Sequence, residues 1–496
     1  MRIVVASSEA SPFSKTGGLA DVSASLPKAL ADLGHEVLLV TPYYPREFAK
    51  LEAADRPALE SLGLTLSIHV GQRHVTARVF KTSLPGSNVT VYLIDQPGYF
   101  DRPGLYLDRD GDYRDNCERF VFLCRAVLQL VETLQFQPDI VHANDWQTGL
   151  LPALLKIEGS QRPGLSQTAS IFTIHNLAFQ GQFWHWDMLL TGLDWKYFNW
   201  RQMEFFGNLN LLKTGVMFAD LITTVSPTYA REIQTPEYGC GLNGVLASRR
   251  DDLIGILNGV DTEVWNPATD ELLPAKYTWH SVEAGKRTCK AALQQRMGLP
   301  LKPQAPLLAM VSRLAGQKGV DLVIHSLPEL LQLDVQVVFL GTGEAGYESA
   351  LKHWAHELPE KIVCEIGYDE SLAHLIEAGA DIFLMPSQYE PCGLNQMYSL
   401  MYGTVPIVRA VGGLADSVID ATEGNLANST ANGFTFHEYR SDVLFRQICR
   451  ALGLFLDRKS WRQLQRTGME RDWSWTHSAK EYVAVYQRAI HKLRQA

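Results

Sequence analysis

Lys15-Thr16-Gly17-Gly18 puts a cation beside a glycine pair about ten residues after the first strand-like run begins, and a helix opens at Leu19. Paired glycines let a backbone approach an anion closely, and the exposed N–H groups and dipole of a helix start favour negative charge. A tight strand-to-helix turn with a solvated lysine has the same sequence. A second cluster, Ser312-Arg313-Leu314-Ala315-Gly316-Gln317-Lys318-Gly319, follows the apolar run ending at Val311. Arg313 offers a planar fork and Lys318 a point charge, and their spacing lets both reach one diphosphate from a loop that opens a helix. Two surface cations flanking a turn are the alternative.

Tyr389-Glu390-Pro391-Cys392-Gly393-Leu394-Asn395-Gln396 again joins a strand-like run to a helix. It offers a carboxylate at Glu390 and backbone donors at Gly393 and Leu394. Cys392 reads as a packing residue, because no base for it stands nearby in sequence. His142-Ala143-Asn144-Asp145-Trp146 and Thr173-Ile174-His175-Asn176 close two further strand-like runs. Ligands of open α/β sheets bind beyond the carboxyl ends of the strands, so Asp145 and His175 fall where a substrate would lie. A satisfied structural histidine is the competing reading of His175. Gly341-Thr342-Gly343-Glu344-Ala345-Gly346 matches a dinucleotide fingerprint, with Glu365 some twenty residues on, and alone it suggests an NAD-dependent enzyme. It follows the second strand of its series and not the first, and the phosphate-type cations stand on other loops.

The elements that must carry these residues are legible as alternation. Short β-branched runs at 3–6, 36–41, 89–95, 139–143, 170–175 and 221–225 are separated by helix-length amphipathic segments. A second series occupies 307–311, 335–340, 361–366, 381–385 and 405–408. Each series predicts a parallel sheet wrapped by helices. The 496 residues, 46% hydrophobic, are enough for two cores, with the join expected at Ile256-Leu257-Asn258-Gly259-Val260-Asp261. One echo links the halves: Gly17-Gly18-Leu19-Ala20-Asp21 and Gly412-Gly413-Leu414-Ala415-Asp416, each expected to open a helix toward a shared cleft.

The net charge of −9 is the wrong sign for a nucleic-acid binder, so an anionic ligand must be met by local cations. Seven cysteines with no CxxC pair suggest neither a disulfide framework nor a structural metal, and fit a reducing cytoplasm. The start, Met1-Arg2-Ile3-Val4-Val5-Ala6, is too short for a secretory apolar region, and no apolar stretch approaches membrane-spanning length. The chain is expected to be soluble, cytoplasmic and complete from its first strand.

Eight motifs in order carry a resemblance over nearly the whole chain: KTGGLADV from 15, HANDWQTGL from 142, TIHNLAFQG from 173, TVSPTYAREI from 224, ILNGVD from 256, SRLAGQKG from 312, EPCGLNQ from 390 and VGGLAD from 411. Together they resemble the bacterial glycogen synthase and plant starch synthase family. The resemblance implies an α/β fold of two Rossmann-like doubly wound domains facing a cleft (GT-B). Residues 1–255 would form the glucan side and 256–472 the nucleotide-sugar domain, with a helix at 473–496 packing back on the first domain. It implies transfer of glucose from ADP-glucose or UDP-glucose to the non-reducing 4-OH of an α-1,4-glucan, retaining configuration, without cofactor or metal.

Residue by residue, the resemblance puts Lys15, Gly17 and Gly18 on the donor diphosphate, with Arg313 and Lys318 holding it from the other domain. Gly367 and Tyr368 border the adenine. His175, Asp145, Asn258 and Glu390 surround the transferred glucose, and Cys392, Gly393 and Leu394 line its edge. Asn395 stands where many members have threonine, which bears on one phosphate contact. Glu390, His175, Lys15, Arg313 and Lys318 form the implied catalytic set. Of the aromatic residues, Tyr99, Phe100 and Trp184 are the candidates for stacking on the glucan; core packing is the more common fate of such side chains. A glucan phosphorylase, which needs a pyridoxal-phosphate lysine, and a catalytically silent glucan-binding module are the remaining alternatives.

Overall fold

A computed structural model describes residues 1–52, 56–109 and 111–495. The chain divides into two compact units. The first comprises Met1–Val225, Ala230–Ile256 and Trp475–Ala496, and the second Ser226–Tyr229 and Leu257–Ser474.

The first unit is built on a nine-stranded sheet. Its order is Leu253–Gly255, Leu221–Thr224, Ala169–Ile174, Ile140–Asn144, Arg2–Ala6, Glu36–Pro42, Thr90–Asp95, Arg73–Ser83 and Glu60–Val70. The first seven are parallel and buried on both faces, which is why their sequences read as near-continuous apolar runs. Counted along the chain, these seven stand in the order 7-6-5-4-1-2-3. Neighbouring connections therefore leave in opposite directions between Arg2–Ala6 and Ile140–Asn144, which makes that gap the topological switch point. The last two strands form an antiparallel hairpin that turns at Gly71, where φ is +59°. The sequence reading passed over this hairpin. Its alternating exposed and buried positions, with a glycine at the turn, were the available signal.

The final helix, Trp475–Gln495, completes the core of this unit. Trp475, Ala479, Tyr482, Val485, Tyr486 and Ala489 recur at helical spacing and pack among Ile3, Val5, Ile140 and Ile171. Its polar tie is His142, on a central strand, whose Nδ1 lies 2.8 Å from the Tyr486 hydroxyl while Nε2 bonds Thr173. Burial pushes the His142 imidazole down to about 3. A folded-state value below the unfolded one means that this group contributes stability above its unfolded pKa, about 6.5, and that the contribution is lost as pH falls toward 3. The difference in thermal midpoint between wild type and His142→Gln is therefore expected to shrink between pH 7 and pH 4.5, read by calorimetry; a constant difference would rule the account out.

The second unit has six parallel strands in the order Ile362–Ile366, Gln336–Gly341, Leu307–Val311, Ile382–Met385, Val405–Arg409 and Phe434–Phe436. That is the 3-2-1-4-5-6 order of a dinucleotide-type fold, with its switch point between Leu307–Val311 and Ile382–Met385. Separate apolar clusters cover the two faces of the sheet. The irregular stretch after Leu257 is fastened by Trp265, which stacks between His374 at 3.8 Å and Tyr398 at 3.9 Å. Asp270 of the same stretch accepts hydrogen bonds from His374 and from the Tyr402 hydroxyl.

Candidate active site

In the first unit, polar groups gather at the carboxyl ends of the strands that flank the switch point. Asp145 follows Ile140–Asn144 with φ +57° and ψ 179°, a backbone state that costs a non-glycine residue about 1–3 kcal/mol. Its carboxylate accepts from the N–H of His175 at 2.7 Å and from that of Asn176. Burial pushes the Asp145 carboxyl up to about 7, against the pull of those two bonds. The His175 Nε2 lies 2.9 Å from the Asn144 Oδ1, while the Asn144 amide donates to the Ala6 carbonyl at 3.1 Å. With the Asn144 oxygen thus fixed as an acceptor, Nε2 carries the proton and Nδ1 the lone pair. Burial holds the His175 ring down at about 3, so it is neutral at ordinary pH and serves as a hydrogen-bonding group and not as a cation.

The turn at residues 15–18 is exposed, and Gly18–Asp32 is the helix it opens. Lys15 Nζ lies 2.7 Å from the Asp21 carboxylate. A Cβ on Gly17 or Gly18 would meet nothing within 4 Å, and φ at Gly17 is −162°, which any residue adopts. Neither packing nor backbone strain demands glycine at 17 and 18. The echo at 412–413 is different. There a Cβ would lie 1.9 Å from the Glu390 carbonyl oxygen or 2.0 Å from that of Cys392, and the Gly413 N–H bonds the carbonyls of Glu390 and Pro391. That pair seats the loop at 390–392; both glycine pairs open helices as expected, Gly18–Asp32 and Gly412–Ser417, but only the second is required by packing.

In the second unit the loop after Leu307–Val311 carries both cations. Arg313 Nη2 donates to Gln317 Oε1 at 3.0 Å, and Lys318 Nζ meets Glu390 Oε2 at 2.6 Å. Ser387 Oγ donates to the same carboxylate oxygen at 3.0 Å. The Glu390 side chain is buried and that of Lys318 largely so. The loop is pinned from three sides: the Gln388 N–H bonds the Gln317 carbonyl, the Tyr439 hydroxyl bonds the Gly316 carbonyl, and Gly319 at φ +73° abuts Pro386, whose carbonyl oxygen would lie 2.1 Å from a Cβ.

Around them, Gly393 at φ +71° sits against Gln396, and the Asn395 amide donates to the Val311 carbonyl at 2.7 Å, tying the helix Asn395–Met401 to the strand end. The backbone N–H of Asn258 bonds the Cys392 sulfur, and burial pushes that thiol up to about 12, which makes Cys392 a packing group. The Oδ1 of Asn258, itself buried, has no hydrogen-bond partner among the described residues. Leu394 precedes the helix at 395, Gly367 bonds the Gly341 carbonyl through its N–H, and Tyr368 is exposed.

Residues 2–248 match the family model described as starch synthase catalytic domain, and residues 294–461 that described as glycosyl transferases group 1. The chain is 50% identical over 488 residues to a glycogen synthase of Anaeromyxobacter dehalogenans, covering 98% of this chain and 99% of that one. It is 48% identical over 495 residues to glycogen synthase 1 of Methylococcus capsulatus, covering 99% and 97%. The chain belongs to the glycogen and starch synthase family.

Among solved structures, the catalytic domain of starch synthase IV from Arabidopsis thaliana, bound to ADP and acarbose, superposes with a TM-score of 0.89 at 32% identity over 99% of both chains. A sucrose-phosphate synthase from Thermosynechococcus elongatus, at TM-score 0.59 and 15% identity, shares the fold. The two doubly wound units are thus the GT-B architecture, and the protein is a glucosyltransferase of the glycogen and starch synthase type. The dehydrogenase reading of 341–346 falls. Gly341 and Gly343 are glycines because a Cβ would lie 1.9 Å from the Ser312 carbonyl oxygen and 2.2 Å from that of Leu314, where the neighbouring loop packs.

Two acceptor candidates need correction. Phe100 is fully buried among Tyr44, Phe120 and Phe122, and Tyr99 is buried with its hydroxyl on Glu118, so both are core residues. Trp184 is 62% exposed and meets Trp186 edge-on at 6.4 Å, and Trp186 in turn packs tilted against Trp195 at 5.4 Å. The sequence reading missed Glu9, which backs the glycine turn, Asn144, which sets the His175 tautomer, and Ser387, which steadies Glu390. Each stands at or just past a strand end near a motif, and that position was the only available signal.

Proposed function

We propose that this glucosyltransferase takes ADP-glucose as donor and adds glucose to the non-reducing 4-OH of an α-1,4-glucan, with retention and without a metal. The observation that carries the reading is the cation pair Arg313 and Lys318 at the switch point of the second unit, with Glu390 in contact. The ADP and acarbose of the Arabidopsis starch synthase IV support a nucleotide diphosphate and a glucan-like acceptor.

Arg313, Lys318 and Lys15 neutralise the departing diphosphate, each cation at 4 Å contributing at most about 4 kcal/mol at an effective dielectric of 20. Gly18 and Asn395 add donors to the phosphates while Gly17, with no side chain, lets them come close, and Gly367 and Tyr368 border the base. Asn258, Asp145 and neutral His175 hydrogen-bond the glucose, with Cys392, Gly393 and Leu394 along its edge and Trp184 against the acceptor. A retaining double displacement needs a carboxylate nucleophile about 5 Å from a second carboxyl. Glu390, engaged by Lys318 and Ser387, is better suited to stabilising positive charge at the sugar ring. The acceptor 4-OH attacks on the face from which the diphosphate leaves, and the leaving oxygen takes its proton.

The test is an assay with glycogen primer and either ADP-glucose or UDP-glucose, before and after exhaustive chelation. Turnover with ADP-glucose is expected to exceed that with UDP-glucose and to survive EDTA. A preference for UDP-glucose would overturn the donor, and activity lost in EDTA and restored by Mg²⁺ or Mn²⁺ would overturn metal independence.

A further inference from the structure

Glu9 is 3% exposed, yet its carboxylate gathers several donors. The N–H and hydroxyl of Thr16, the N–H of Gly17 and, at 3.1 Å, the hydroxyl of Tyr106 all point to it. A buried carboxylate is a poor way to stabilise a fold, since an apolar residue of similar size avoids its desolvation. The turn it touches is exposed from Lys15 to Gly18, with open space around both glycines; the Lys15 ammonium ties it at 2.7 Å to Asp21 of the helix it opens, and Glu9 takes its backbone N–H groups from beneath.

Behind Glu9 the support is rigid. The Tyr106 hydroxyl also bonds Ser8 Oγ at 2.7 Å, and the backbone beside Tyr106 is held by Arg119. That guanidinium, fully buried on the helix Asn116–Thr133, donates to the carbonyls of Leu105 at 2.9 Å and Tyr99 at 2.8 Å and to the Asn116 side chain at 2.6 Å.

We infer that Glu9 is a positioning residue: by taking the N–H groups of Thr16 and Gly17 it sets the turn in its working shape before donor arrives, so that Lys15 and the first N–H groups of the helix are presented to the diphosphate. Glu9 does not touch substrate; it acts through Lys15. The inference rests on the proposed role of Lys15 at the leaving group, and the experiment separates the two.

Steady-state kinetics with ADP-glucose and glycogen are measured for Glu9→Gln and for Thr16→Val, the latter at an exposed position where folding is not at risk, each in wild-type and Lys15→Ala backgrounds. Glu9→Gln is expected to lower kcat about tenfold, the effect of losing a charge-assisted bond, with donor KM within about twofold. Thr16→Val should act in the same direction. In the Lys15→Ala background both losses should fall below about twofold, because the group being positioned is gone. Equal losses in the two backgrounds, for either substitution, would assign Glu9 a merely structural role and overturn the inference. If Lys15→Ala itself leaves kcat unchanged, the reading of the turn as a donor contact falls, and this inference with it.

Discussion

Glu390→Gln is expected to lower kcat by roughly 10², the usual loss when a group aimed at transition-state charge is removed, while donor KM changes little. The structure adds a second expectation. Lys318 Nζ is 2.6 Å from the Glu390 carboxylate, so a diphosphate must compete with an internal anion for that lysine. Removing the carboxylate charge ends the competition, and ADP binding measured by calorimetry should stay constant or tighten even as turnover collapses. A raised KM with normal kcat would instead make Glu390 a plain binding group.

Lys318→Ala and Lys15→Ala should each lower kcat by roughly 10² to 10³, about 2–4 kcal/mol of barrier. They should part company in binding. Lys318 stands on the loop of the second unit that carries the nucleotide-type topology, so Lys318→Ala is expected to weaken ADP affinity by calorimetry. Lys15 belongs to the first unit, and its substitution should spare that affinity while turnover is lost. Lys318→Ala also strands the buried Glu390 carboxylate, which should lower the thermal midpoint. Adding Glu390→Gln should restore the midpoint and not the activity. Equal loss of ADP affinity in the two lysine variants would refute the division of roles.

The sheet strands that were easiest to read in the sequence are those buried on both faces, because their β-branched runs answer to one constraint, exclusion of water, that leaves the same mark wherever it acts. The hairpin Glu60–Val70 with Arg73–Ser83 is half exposed, so it is written as apolar and polar residues in alternation and not as a β-branched run, and a reading keyed to such runs passes over it. Among the site residues, Lys15, Arg313, Lys318 and Glu390 announce themselves by charge beside glycine at strand ends. Their supports do not. Glu9 reaches Tyr106 across 97 positions and Asn144 reaches His175 across 31, and such pairings exist only after folding. Tyr99 and Phe100 show the converse error. An aromatic pair in a loop-like stretch looks available to a sugar until the ring packing around Phe122 is known.

The helix Trp475–Gln495 has a consequence for how the molecule is made. The segment Leu257–Ser474 of the second unit leaves the ribosome as one stretch, needing only Ser226–Tyr229, already made, to complete its unit. The first unit, although most of its strands emerge earlier, lacks Trp475, Tyr482 and Tyr486 until the whole of Leu257–Ser474 has been made. Until then His142, on a central strand, has no Tyr486 hydroxyl to bond, and the apolar face meant for the last helix stays open to water or to a chaperone. The half translated first is therefore the half that finishes folding last.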